Sequence, residues 1–129
     1  MTKTDVMNMP ITSLAYLGDA AIEVLVRERI ITDGEGKPGE HPSARSLMYV
    51  TAEAQSKAVE RILPVFTEDE TDVFKRGRNC VHSGVPKHAT VQEYRRATGL
   101  ECVFGYLWLT GDGARARELF ALAYPAEIK

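Results

Sequence analysis

A chain of 129 residues, 44% of them hydrophobic, suffices for one buried core, so a single domain over residues 1–129 is expected, with residues 1–9 as a flexible lead. The net charge of −2 hides an uneven spread: residues 75–96 carry Lys75, Arg76, Arg78, Lys87, Arg95 and Arg96 against Glu93 alone, a basic segment on an acidic body that suits a polyanion or, more plainly, a solvated face. Two cysteines, no export signal and no apolar run near the ~20 residues of a membrane span exclude a disulfide scaffold and a spanning helix, and a soluble, reduced, cytoplasmic protein is expected.

In chain order, Pro10 opens a helix to about residue 31, with Leu14, Leu17, Ala21, Val24 and Leu25 at helical spacing. Residues 33–42, rich in Gly and Pro, read as a surface loop. Ser43 caps a helix through Val50, and Thr51 caps a second that ends before Pro64. Thr67 with Glu70 forms a capping box, with acids in the first turn where the helix dipole favours them. That helix carries Val73 and Phe74 and ends near Gly77. Residues 79–89, with Gly84 and Pro86, form a second loop. Thr90 and Glu93 make another capping box, opening a helix to about Thr110 whose Leu100, Val103, Phe104, Leu107 and Trp108 mark a thoroughly buried element. Gly111, Asp112 and Gly113 stop it, and a last amphipathic helix runs to about Tyr124. No strand alternation appears, so the fold class is all-α, a compact helical bundle.

Two acids break the apolar pattern. Asp19 lies in a helix apolar on nearly every side, where desolvation is expected to be costly, and Glu101 is the one acid in a buried run from Leu100 to Leu109. A buried carboxylate needs a partner, and a bound cation is one of the few that offsets the cost. Glu23, one turn after Asp19, is close enough to share a metal or its water shell. The alternative is structural pairing of these acids with Arg27, Arg45 or Arg95.

The string Leu14, Ala15, Tyr16, Leu17, Gly18, Asp19, Ala20 resembles the signature helix of ribonuclease III enzymes, in the form found in the Mini-III subfamily. The resemblance continues through Lys75, Arg76, Gly77, Arg78 and Asn79, then residues 90–95, and ends with residues 101–107. It covers roughly residues 11 to 125 in unbroken order. It implies a helical ribonuclease III-type endonuclease domain that dimerises, cuts double-stranded RNA and lacks the separate RNA-binding domain of larger relatives. It further implies Asp19 and Glu101 as the catalytic, metal-binding acids for Mg²⁺, for which Mn²⁺ can stand in. The subfamily's task is maturing the ends of the 23S ribosomal RNA precursor, which leaves room for a ribosomal-protein helper. Full ribonuclease III enzymes place further acids where this chain has Ala15 and Thr98, so the number of metals is open and Glu23 is a candidate substitute ligand.

A Mg²⁺ ion at such a pair would serve hydrolysis of a phosphodiester, expected to leave a 5′-phosphate and a 3′-hydroxyl. Lys75, Arg76, Arg78, Asn79, Lys87, Tyr94 and Arg95 are the expected RNA contacts, joined by His82 and His88, and A-form RNA would be read by shape. Antiparallel strands match a two-fold homodimer, with the apolar signature helix as its expected surface. A zinc site at Cys80, His82 and His88 fits no standard spacing. Cys102, Tyr16, Tyr106 and Trp108 read as core residues. Helix capping accounts for Thr51, and nothing accounts for Gln55. The rivals are a non-catalytic ribosome-associated RNA-binding module on the same fold and a metal-dependent phosphohydrolase of small molecules.

Overall fold

The computed structural model describes residues 1–34, 38–39, 41–80 and 89–125. In chain order it has α1 (Lys3–Met7), α2 (Ile11–Thr32), α3 (Pro42–Val50), α4 (Ala52–Ile62), a 3₁₀ turn (Leu63–Val65), α5 (Glu68–Arg78), α6 (Val91–Leu109) and α7 (Gly113–Ala123). No strand occurs among the described residues, and the expected helical bundle stands.

Helix α6 is the axis of the bundle, with α2, α4 and α5 packed around it. Leu100, Cys102 and Val103 are fully buried and Phe104 nearly so. Burying a side chain of the Leu or Phe type stabilises by about 1.5–3 kcal/mol each. Local signals set the ends of the helices. Both capping boxes close in both directions: Thr67 accepts from the Glu70 amide at 3.1 Å while the Glu70 carboxylate accepts from the Thr67 amide at 2.9 Å, and Thr90 and Glu93 repeat this at 3.1 and 2.9 Å. Thr51 caps α4 as expected, accepting from the Ala54 amide.

Three expectations are corrected. The cap of α3 is His41, whose Nδ1 accepts from the Ser43 amide at 3.1 Å, with Pro42 in the first turn, where its missing N–H is harmless. Residues 1–9 carry α1 rather than a featureless lead, because Thr2 and Asp5 form a third capping box and Val6 is fully buried. Helix α2 is not buried all round: Tyr16 is 85% exposed, Val24 51% and Ile31 70%, and Trp108 of α6 is 43% exposed. Tyr106 is buried as expected.

The far end is tied by α7. Tyr124 donates its hydroxyl to the Tyr49 carbonyl at 2.8 Å, and Arg61 donates to the Ala123 carbonyl at 2.8 Å. Arg115 forks onto the buried Glu70 carboxylate at 2.9 and 3.0 Å and donates to the Val65 carbonyl at 2.7 Å, joining α7, α5 and the 3₁₀ turn.

Candidate active site

The site is built where α2 crosses α6 with backbones in contact. A Cβ placed on Gly18 would lie 1.6 Å from the Glu101 carbonyl oxygen, and one on Gly105 would lie 2.1 Å from the Leu14 carbonyl oxygen. Only glycine permits this approach. The crossing sets Asp19, next to Gly18, beside Glu101 on the facing helix. On the other flank of α6, Gly99 lies against Phe74, and a Cβ on Gly77 would lie 2.9 Å from the Gly99 Cα and 2.8 Å from the Cys102 Sγ. This second close packing brings the basic end of α5 beside the turns of α6 that precede Glu101.

The structure brings the two expected acids together, but corrects which of them is desolvated. Asp19 is exposed and Glu101 is partly buried. Burial, then the Asp19 charge, then a hydrogen bond that a protonated Glu101 donates to Asp19 push the Glu101 carboxyl up to about 8. At neutral pH the pair therefore holds a proton in the absence of a cation. The alternative of arginine pairing is not realised: among the described residues no ion pair uses Asp19 or Glu101. Arg27 instead holds Glu23 at 3.1 Å, and Arg96 donates to Glu60 at 3.0 Å and to the Ser56 hydroxyl at 3.5 Å.

Two facing carboxylates with no counter-cation among the described residues, one of them withdrawn from water, make a negative site of hard oxygen donors. Such donors fit a divalent cation of the Mg²⁺ or Mn²⁺ kind. Asp19 and Glu101 are the residues that would hold it. Among the described residues no three of His, Cys, Asp and Glu gather, so there the set is these two acids. Ala15 offers no ligand, and the Thr98 hydroxyl is buried and donates to the Tyr94 carbonyl at 3.1 Å. Glu23 pairs with Arg27 at 3.1 Å, and further ligands to a cation held by Asp19 and Glu101 would come from water and substrate.

The expected RNA contacts divide. Lys75, Asn79 and Arg95 are exposed, and Tyr94 is partly buried. Arg78 is partly buried, lies 5.9 Å from the Phe74 ring centroid and donates to the Asn79 side chain at 3.3 Å. Arg76 is committed elsewhere, donating to the Met7 carbonyl at 3.0 Å and the Met9 carbonyl at 3.5 Å, so it fastens the segment between α1 and α2. Lys87, His82 and His88 lie outside the described residues, and with the histidines the zinc reading. Cys102 is a core residue, its thiol donating to the Ile11 carbonyl at 3.5 Å; burial, Glu101 and the neighbouring Cys80 push that thiol up to about 12. Gln55 is buried.

What the sequence reading missed is the role of the glycines. Gly99 and Gly105 sit inside a helix, where each is costly by about 1 kcal/mol relative to Ala, and that local cost was the available sign of a close backbone contact.

The ribonuclease III domain family matches residues 12–112. The chain is 42% identical over 118 residues to the Mini-ribonuclease 3 of Symbiobacterium thermophilum, covering 91% of this chain and 89% of that one. It is 38% identical over 121 residues to the Mini-ribonuclease 3 of Clostridium tetani, covering 94% and 80%. The fold is similar to the crystal structure of a Fusobacterium nucleatum protein, with a TM-score of 0.81 and 25% identity over 92% of this chain and 96% of that one. Joined to the acid pair at the α2–α6 crossing, these likenesses mean that the chain belongs to the ribonuclease III domain family, as an endoribonuclease of its Mini-ribonuclease 3 branch.

Proposed function

We propose that this endoribonuclease cuts double-stranded RNA with a Mg²⁺ ion held by Asp19 and Glu101, for which Mn²⁺ can substitute, and that its substrate is the base-paired end of the 23S ribosomal RNA precursor. The observation that carries the reading is an acid pair that no cation among the described residues neutralises, which a purely RNA-binding module has no physical reason to maintain against its own repulsion. When bound, the cation supplies charge neutralisation at the phosphate oxygens and lowers the pKa of a water.

The chain's own residues do the rest. Asp19 and Glu101 give oxygen ligands from two helices whose spacing is locked by Gly18, so the site is held in place before substrate arrives. Lys75, Arg78 and Asn79 at the end of α5, with Arg95 on α6, meet backbone phosphates, and recognition follows A-form shape more than base identity. Lys87, Tyr94, His82 and His88 are proposed as further contacts. Arg76 acts indirectly, holding the Met7 and Met9 carbonyls. In-line attack of water leaves a 5′-phosphate and a 3′-hydroxyl.

Two strands need two cuts, and a two-fold homodimer supplies them. The exposed apolar face of α2 supports this, with Tyr16, Val24 and Ile31, to which α3 adds Leu47 and Met48 at 62% and 56% exposure. Among the described residues no helix is long and apolar enough to cross a membrane, and we place the enzyme in the cytoplasm beside its substrate, with a ribosomal-protein helper as an additional partner.

The test is cleavage of an end-labelled precursor stem with Mg²⁺, with Mn²⁺, and with a chelator. The proposal expects duplex cuts only with a divalent ion, bearing 5′-phosphates. Cleavage that survives the chelator, or a 2′,3′-cyclic phosphate product, would overturn it.

A further inference from the structure

Glu23 is the acid of α2 to which the cation reading gives no task. It stands one turn beyond Asp19, and residues four apart on a helix have Cβ atoms about 5–6 Å apart. Helical side chains lean back over the turn that precedes them, so Glu23 covers the turn that carries Asp19. Arg27 reaches back in the same way and donates its Nε to Glu23 Oε2 at 3.1 Å, which leaves Glu23 Oε1 with no partner among the described residues. The pair is unlike an ordinary surface bridge. In Glu53 and Lys57, also four apart, both side chains stand out in solvent, whereas the Glu23 side chain is 29% exposed and that of Arg27 is 74% exposed. The acid is held in and the base is left out.

Two carboxylates one turn apart repel, and Asp19 already faces Glu101. Arg27 offsets the charge of Glu23; Asp19 and Glu101 have no such partner among the described residues. No three of the described acids, histidines and cysteines gather closely enough to hold an ion together, so direct ligation stays with Asp19 and Glu101. A cation of the Mg²⁺ kind keeps several of its waters, and carboxylates just outside a metal site tune it by accepting hydrogen bonds from the groups around the ion.

We propose that Glu23 is a positioning residue of the cation site: it accepts hydrogen bonds from the water shell of a divalent ion held by Asp19 and Glu101, and Arg27 fixes the direction of its carboxylate. The proposal rests on the cation reading above and adds to it a third acid that acts through water.

The experiment measures Mn²⁺ binding to the metal-free, full-length protein by electron paramagnetic resonance, which counts the free ion, with Tm in the absence of metal taken by circular dichroism. Wild type is compared with Glu23→Gln, Glu23→Asp, Arg27→Gln and Asp19→Asn. Both changes at Glu23 should raise the Mn²⁺ Kd by about tenfold, and Arg27→Gln should raise it by less, with the metal-free Tm close to wild type. Glu23→Asp keeps the charge and shortens the reach, and Arg27→Gln removes a positive charge. A carboxylate acting only through its charge would therefore leave Glu23→Asp at the wild-type Kd and make Arg27→Gln bind more tightly. Either outcome overturns the proposal, as does a lowered Tm with Kd unchanged. Wild type that binds no Mn²⁺, or Asp19→Asn that binds it as wild type does, overturns the cation reading itself and this inference with it.

Discussion

Replacing Gly18 with alanine places a methyl 1.6 Å from the Glu101 carbonyl oxygen, 2.5 Å from its carbon and 2.9 Å from the Gly105 nitrogen. A carbon and an oxygen need about 3.2 Å, so the two helices must part by roughly 1.5 Å. The obstacle is backbone on both sides, with no flexible side chain to yield, and overpacking of that kind costs about 3 kcal/mol. In a chain of 129 residues that lowers Tm by about 12 °C. The same displacement pulls Asp19 from Glu101, so cleavage at a temperature where the variant is still folded should fall well beyond the folded fraction. Gly113→Ala is the control: nothing lies within 4 Å of its Cβ position, and a small gain of up to about 0.5 kcal/mol is expected. Calorimetry or circular dichroism gives Tm, and single-turnover cleavage gives the rate. A Gly18→Ala protein that melts within about 2 °C of wild type and cuts at the wild-type rate would refute the glycine-spaced crossing.

The raised carboxyl of Glu101 has a pH signature without divalent ions. Its folded pKa of about 8 stands above its ordinary value of 4.5, so its contribution to stability is fully present below pH 4.5 and is lost as pH rises through 8. Wild type measured against Glu101→Gln should lose about 2 kcal/mol of relative stability between pH 5 and pH 8.5, a smaller figure than the full shift implies because the carboxyl is partly solvated; equal slopes in denaturant titrations would contradict the coupling. Arg95→Ala should weaken duplex binding and lower the salt slope by about one, with Tm unchanged, in anisotropy titrations. Arg76→Ala should instead lower stability by about 1–2 kcal/mol through two lost carbonyl contacts, and a pure affinity loss would reverse that assignment. Val24→Glu, at a side chain 51% exposed, should give a folded monomer by light scattering if α2 is the dimer surface; an unchanged oligomeric state would exclude that face.

The features that were legible in the sequence are local ones. Thr67 with Glu70 and Thr90 with Glu93 start helices because their bonds span three residues, and the apolar run around Glu101 marks α6 as the core because nothing else satisfies such a run. The cap of α3 was misread because an imidazole acceptor at His41 leaves a weaker signature than Ser43. Asp19 was expected to be buried because Tyr16 and Val24 read as core, and apolar residues on a helix do not say whether they face the interior or a second surface. Arg76 looked like its basic neighbours; its contacts are with Met7 and Met9, 69 and 67 residues away, a distance no local pattern encodes. The pairing of Asp19 with Glu101 was suggested by two acids in apolar helices and given its catalytic role by the family resemblance, and the glycines at the crossing supply its geometric cause.

If Asp19 and Glu101 act as one cation-holding unit, single-turnover cleavage of a duplex RNA in Mg²⁺ by Asp19→Asn, Glu101→Gln and the double variant decides the matter. Each single change should slow cleavage by about a thousandfold or more, and the double variant should be no slower than the worse single one. Either single variant cutting within tenfold of wild type, or losses that multiply in the double variant, would contradict the account.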